Sequence, residues 1–202
     1  MKWIDKYRNR VCIFLIAFSL CASCKSSGGS GGLLGPADET AEAAKIVVEA
    51  NKDLTKIKVL YKDNEKKREE LKTAMAADDA PAVKKIADDV VYIINDGADH
   101  GEKAIEKLQQ AQDMEINADY KEYLRLKEEA LKKHREAFEN YRQAARSLRD
   151  NYDPKNDKLR EKVKLEFKER SENYQKITER ARDYSNEANE LAKDVIRKQA
   201  QN

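Results

Sequence analysis

ADYKEYLRLKEEALKKHREAFENYRQAARSLRDN, residues 118–151, sets Tyr120, Leu124, Lys127, Leu131, His134, Phe138, Tyr141, Ala145 and Leu148 at alternating steps of four and three. That spacing collects side chains on one stripe of an α-helix, and it is the pattern by which the helices of a left-handed bundle interlock. A flanking row, Tyr123, Ala130, Ala137 and Ala144, repeats at sevens beside it. The stretch is therefore a helix with one broad buried face, and it needs partners that carry the same pattern.

Such partners lie on both sides. Upstream, Val47, Ala50, Leu54, Ile57, Tyr61, Asn64, Arg68, Leu71 and Met75 form one seam, and Val83, Ala87, Val90, Ile94, Gly97, Gly101, Ala104, Leu108 and Ala111 a second. Downstream, Tyr174, Ile177, Ala181, Tyr184, Ala188, Leu191 and Val195 form a fourth. No stretch alternates with a period of two, so no sheet is expected. Breaks fall where turn chemistry permits. Asp79 or Ala80 stands before Pro81, Asp153 stands before Pro154, and Asn117 or Asp119 is available to cap the third helix. The expected helices run near 37–76, 80–113, 118–151 and 154–200. Short connections make neighbours antiparallel, so the expected fold is all-α, an elongated up-down-up-down four-helix bundle with coiled-coil-like packing over residues 37–202. Its even helix count brings residue 37, the turn near 113–119 and the C-terminus to one end.

Charged residues make up 39 % of the chain, many as Glu and Lys or Arg four apart, such as Glu128 with Lys132, Glu129 with Lys133 and Glu166 with Arg170. Pairs of this kind stabilise a helix by only tenths of a kcal/mol each, and they read as solvated outer faces.

Ahead of the bundle the chain changes character. Lys2, Lys6, Arg8 and Arg10 precede an uncharged run, Val11 to Leu20, that ends in Cys21-Ala22-Ser23-Cys24. A basic segment, a short apolar segment and small residues at its end make a secretory signal peptide, residues 1–23, too short to span a membrane. Lys25 to Gly35 holds five of the chain's seven glycines and reads as a flexible tether across residues 24–36.

The last residues of that signal resemble the lipobox of bacterial lipoproteins. Ala22 and Ser23 fit the two positions before the acylated cysteine, Cys24. The position that usually holds Leu is Cys21, with Leu20 one step further out, and Cys21 is the rival acceptor. The resemblance covers residues 1–24 and implies a diacylated Cys24 as the mature N-terminus, hence a protein tethered to a membrane by acyl chains and not spanning it. It also implies a place in the cell envelope, lipid-anchored, and at the outer membrane if the source is Gram-negative. Loss of the signal removes four cations and one acid, taking the net charge of +2 to −1, which leaves no basic excess for nucleic acid. Cys12 and Cys21 leave with it and Cys24 is spent on lipid, so the bundle has no thiol for a disulfide or a metal.

Within the bundle no catalytic or cofactor motif stands out. A di-iron bundle shows Glu-x-x-His pairs, whereas Gly97 precedes His100 and Leu131 precedes His134 by three. No cofactor and no resident metal are expected, nor is an enzyme. His134 on the third seam beside Lys127, with Asn64, Arg68 and Arg170 polar elsewhere, reads either as a polar pocket for a small ligand or as polar breaks that set register. Gly97 and Gly101 sit on the second seam, where each costs about 1 kcal/mol against alanine. They suggest either close packing, with a ring such as that of Tyr61, Tyr141 or Tyr184 against bare backbone, or a kink that exposes Asp96, Asp99 and His100 as a small polar site. The expected function is a membrane-anchored structural or protein-interaction module whose partner is a protein, wall polymer or second copy. The alternative is a small-ligand- or metal-binding sensor or delivery lipoprotein.

Overall fold

The computed structural model describes residues 39–201, with side chains through 194 and at 197. The signal peptide, Cys24, the tether and the side chain of Val195 lie outside the described residues. The described chain forms four helices, α1 (Thr40–Ala76), α2 (Ala80–Gln112), α3 (Ala118–Asn151) and α4 (Asp157–Gln201), with no strand among the described residues. They make an antiparallel four-helix bundle, as the seams require.

Each boundary has a local cause. The Asp79 carboxylate accepts from the Ala82 amide at 3.0 Å, with Pro81 in the first turn, and the Asn117 side chain accepts from the Tyr120 amide at 2.8 Å. Both are N-caps that satisfy amides the helix leaves open. The start of α1 lies at Thr40, not residue 37. Glu39 precedes it without capping it, and is tied instead to the α2–α3 turn: its amide donates to the Glu115 carbonyl at 3.0 Å, and its Oε2 accepts from the Glu115 amide at 2.7 Å. The start of α1 and that turn therefore share one end of the bundle, as expected.

The start of α4 departs from expectation. Asp153 and Pro154 do not open the helix. The Asp153 carboxylate accepts from the Lys155 amide at 2.9 Å in a tight turn, and Asn156, whose side chain accepts from the Leu159 amide at 3.1 Å, caps a helix that begins three residues later. At the same end, α1 closes through Asp78, whose φ of 53° is left-handed. The Asp79 amide reaches the Ala74 carbonyl at 3.0 Å and the Asp78 amide the Met75 carbonyl at 3.3 Å, the paired closure that usually calls for glycine. The Asp78 carboxylate compensates by accepting from the Tyr152 hydroxyl at 2.8 Å and Lys164 Nζ at 2.7 Å, which joins the α1–α2 turn to the α3–α4 turn.

Burial follows the seams. All nine α2 seam positions are buried, and no described seam position of α1, α3 or α4 is exposed. The apolar core divides in two. One cluster, from Leu71 and Val83 to Tyr152 and Phe167, draws on all four helices. The other, with Val47, Ala50, Leu108, Leu124 and Leu131, takes its buried members from α1, α2 and α3 alone. Close helix packing runs α1–α2, α2–α3 and α3–α4; α1 and α4 stand further apart.

Candidate functional site

The wider α1–α4 gap is spanned by polar side chains. From α1, Arg68 places its guanidinium 5.6 Å from the Tyr141 ring centre of α3 and 5.4 Å from that of Tyr174 of α4, and it donates to Glu65 at 2.6 Å. The two tyrosine rings lie 5.3 Å apart, and Phe138 joins them at 6.1 Å from Tyr174. Burial drives the hydroxyls of Tyr141 and Tyr174 far above the usual tyrosine range. The Tyr141 hydroxyl is turned toward Arg68 and that of Tyr174 toward Tyr61.

Two to four turns toward the Glu39 end, the same gap becomes cationic. Lys127, half-buried on α3, donates to the Asn189 amide oxygen of α4 at 3.2 Å and lies 5.5 Å from the Tyr123 ring centre. Burial and the neighbouring charge of Lys58 on α1 lower its pKa. His134, seven residues on, is half-buried against α4. Burial first, and the charge of Arg182 second, press its imidazole down to about 4, so it is neutral at pH 7. None of Lys58, Lys127, His134 and Arg182 takes part in an ion pair among the described residues, whereas Arg68, Lys67 and Lys107 all do. The structure thus places His134 and Lys127 together on one seam, as their spacing implies. Of the other polar seam residues, Arg68 belongs to the neighbouring stretch of the same gap, Asn64 lies between α1, α2 and α3, and Arg170 is bound to Glu166 at 2.9 Å and Gln143 at 2.5 Å.

His100 lies elsewhere, on the α1–α2 face. Its Nδ1 is 2.8 Å from Asp53 Oδ1, and because a carboxylate only accepts, Nδ1 carries the proton. Lys107 Nζ donates to the other oxygen at 2.7 Å. Burial pushes the Asp53 carboxyl up, but hydrogen bonds from Lys107 and His100 outweigh it and hold the group below its usual value. His100 is therefore a buried bridge between helices. The kinked, exposed site does not occur: α2 is continuous through Gly97 and Gly101, and Asp96 and Asp99 face solvent. Among the described residues no group of three or more His, Cys, Asp or Glu is placed to hold a metal.

Close packing at the glycines is also looser than expected. A Cβ at Gly97 would lie 3.8 Å from Leu60 Cδ1, and one at Gly101 would lie 3.5 Å from Arg135 Cγ, both ordinary contacts. No tyrosine ring is pressed on either. Beside Gly97 is a cavity of about 10 Å³, lined by Ile57, Leu60, Asn64, Ile93, Ile94 and Phe138.

Two buried carboxylates correct the view that acids occupy only outer faces. Asp53 is one. The other, Glu128, is 6 % exposed and accepts from Gln109 and Gln112 of α2, each at 2.7 Å, besides Lys132 at 2.8 Å. The expected Glu129–Lys133 pair is replaced by Lys132–Glu129 at 3.1 Å and Lys133–Glu136 at 2.6 Å, both three apart. A sequence signal existed for Asp53, which follows the seam residue Ala50 by three and precedes Ile57 by four. Glu128 had none, because its partners lie on another helix.

Comparison with protein-family models, with curated proteins and with solved structures gives no match.

Proposed function

We propose that the chain is a lipid-anchored protein of a bacterial cell envelope, held by acyl chains on Cys24, and that its bundle serves as a non-enzymatic structural or protein-interaction module. The observation that carries this reading is the run from Lys2 to Cys24, basic, then apolar, then small up to a cysteine, followed by a glycine-rich tether. Among the described residues no helix is long and apolar enough to cross a membrane. The described polar groups also support a scaffold. Asp53 and Glu128 are each held by hydrogen bonds that join two helices, and Asp78 joins two turns. These groups are engaged in holding the bundle together.

An enclosed small-molecule carrier has less to support it. Ligand pockets run to roughly 300–1,000 Å³, and the cavity beside Gly97 is about 10 Å³, the space of a single water. The outer membrane is the proposed address in a Gram-negative source, with a protein, wall polymer or second copy as partner. Fractionation of cells expressing wild type and Cys24→Ser tests the anchor. Wild type should sediment with membranes, and Cys24→Ser should accumulate as precursor or leave the membrane fraction. A processed Cys24→Ser protein that still sediments would assign the anchor to another residue, Cys21 first.

A further inference from the structure

Three helices bring cations to one stretch of the α1–α4 gap, and none of these cations takes part in an ion pair among the described residues. Lys127 of α3 is half-buried, with its ammonium bound to a neutral amide oxygen, that of Asn189 at 3.2 Å, and set 5.5 Å from the Tyr123 ring centre. Lys58 of α1 is close enough to repel it. Arg182 and Asn189 are seven apart on α4, as His134 and Lys127 are on α3, so Arg182 faces His134 two turns from the Lys127–Asn189 contact, about 10 Å along the helix axes. Lys and Arg side chains are long enough to close that distance from both sides. On the α1–α2 face the partly buried cations are met by carboxylates, Lys107 by Asp53 at 2.7 Å and Lys67 by Asp89 at 2.9 Å. A half-buried ammonium without an anion is costly unless something supplies the charge.

α4 also carries a buried hydroxyl, eleven residues and about 16 Å along the helix from Asn189. Thr178, one turn before Arg182 on α4, is only 5 % exposed, and its hydroxyl has no hydrogen-bond partner among the described residues. An amide and cations from three helices are components that surround an oxyanion, and three cations suit a group that carries up to two negative charges.

We propose that the α1–α4 gap between Lys58, Lys127 and Arg182 is a binding site for a phosphate group, presented either by a soluble phosphate ester or by a phospholipid headgroup. Lys127 is its central cation. Lys58 and Arg182 close over the group from the two flanking helices, and Asn189 holds Lys127 in place. The site stands independently of acylation at Cys24, and its test does not require it.

Inorganic phosphate is titrated at low ionic strength into the full chain, purified in neutral detergent, with calorimetry and melting temperature as readouts. Saturable one-site binding and a rise in melting temperature are expected. Lys127→Met should weaken binding by about tenfold or more, while without phosphate its melting temperature equals or exceeds wild type, because an unpaired half-buried charge gives way to an apolar chain of similar length. Lys66→Met, on an exposed face, should leave the affinity unchanged. Absence of saturable binding in wild type overturns the proposal. So does a Lys127→Met protein that binds phosphate as wild type does, or a Lys66→Met protein that loses binding equally. Glycerol phosphate and phosphatidylglycerol vesicles then identify the source. Lys127-dependent binding of the ester assigns a soluble ligand, and Lys127-dependent binding of vesicles alone assigns the headgroup.

Discussion

Replacing Gly97 and Gly101 by alanine should make the bundle more stable. Both residues are buried in the interior of α2, where glycine costs about 1 kcal/mol against alanine because it surrenders more backbone freedom on folding. The structure supplies the opposing term, and it is small. The new Cβ at 97 would meet Leu60 Cδ1 at 3.8 Å beside a cavity of about 10 Å³, and the one at 101 would meet the flexible stem of Arg135 at 3.5 Å. Neither contact demands a shift, so each alanine should stabilise by about 1 kcal/mol. Because their contacts differ, the double variant should approach about 2 kcal/mol. For a domain of this size 1 kcal/mol corresponds to roughly 2–4 °C in melting temperature, which puts the double variant about 4–8 °C above wild type. Gly97→Leu should fall below wild type by about 1–3 kcal/mol, since the cavity cannot take the three further carbons. Thermal and urea unfolding followed by circular dichroism would measure all four variants. A lower melting temperature for Gly97→Ala would refute the reasoning and show that bare backbone at that position is needed by something that approaches it more closely than Leu60 does.

Acidification should weaken the fold through His134. An unfolded histidine titrates near 6.5, and the folded one near 4. Between those values only the unfolded state binds the proton. Stability should therefore be fully present above about pH 6.5, decline as pH falls toward 4, and lose on the order of 3 kcal/mol in all from this residue. His134→Gln should flatten that slope in urea unfolding run across the range; an unchanged slope would remove His134 as its cause. At the end of the bundle away from Glu39, Asp78→Asn keeps an acceptor for Tyr152 and tolerates the left-handed backbone, whereas Asp78→Ala keeps neither. The melting temperatures should fall in the order wild type, Asn, Ala, and an alanine variant as stable as wild type would show that the link between the two turns contributes nothing.

The helices and their buried faces were legible in the sequence because the three-and-four spacing that defines a seam is a property of one helix at a time. Two of the three predicted cap regions were legible for the same reason, since Asp79 and Asn117 act within a single turn. Asp153 misled because the same residue type that caps a helix also closes a tight turn, and only the next helix's position decides between them; Asn156 took the cap. Glu128 looks like a member of a charged outer face, and what buries it is Gln109 and Gln112 on a helix that periodicity in α3 cannot report; Asp53 had a signal in its spacing from Ala50 and Ile57, but its partners His100 and Lys107 lie on α2. The cationic stretch was half legible. Lys127 and His134 stood out as polar seam residues, but Lys58 and Arg182 joined them only once α1 and α4 were set side by side.

Intact-mass and tandem mass spectrometry of the protein purified from membranes tests the central claim most directly. The account predicts a mature chain that begins at Cys24, with residues 1–23 removed and the added mass of a diacylglyceryl group on that cysteine. A chain that begins elsewhere, or a Cys24 that carries no lipid on a membrane-bound protein, would contradict it.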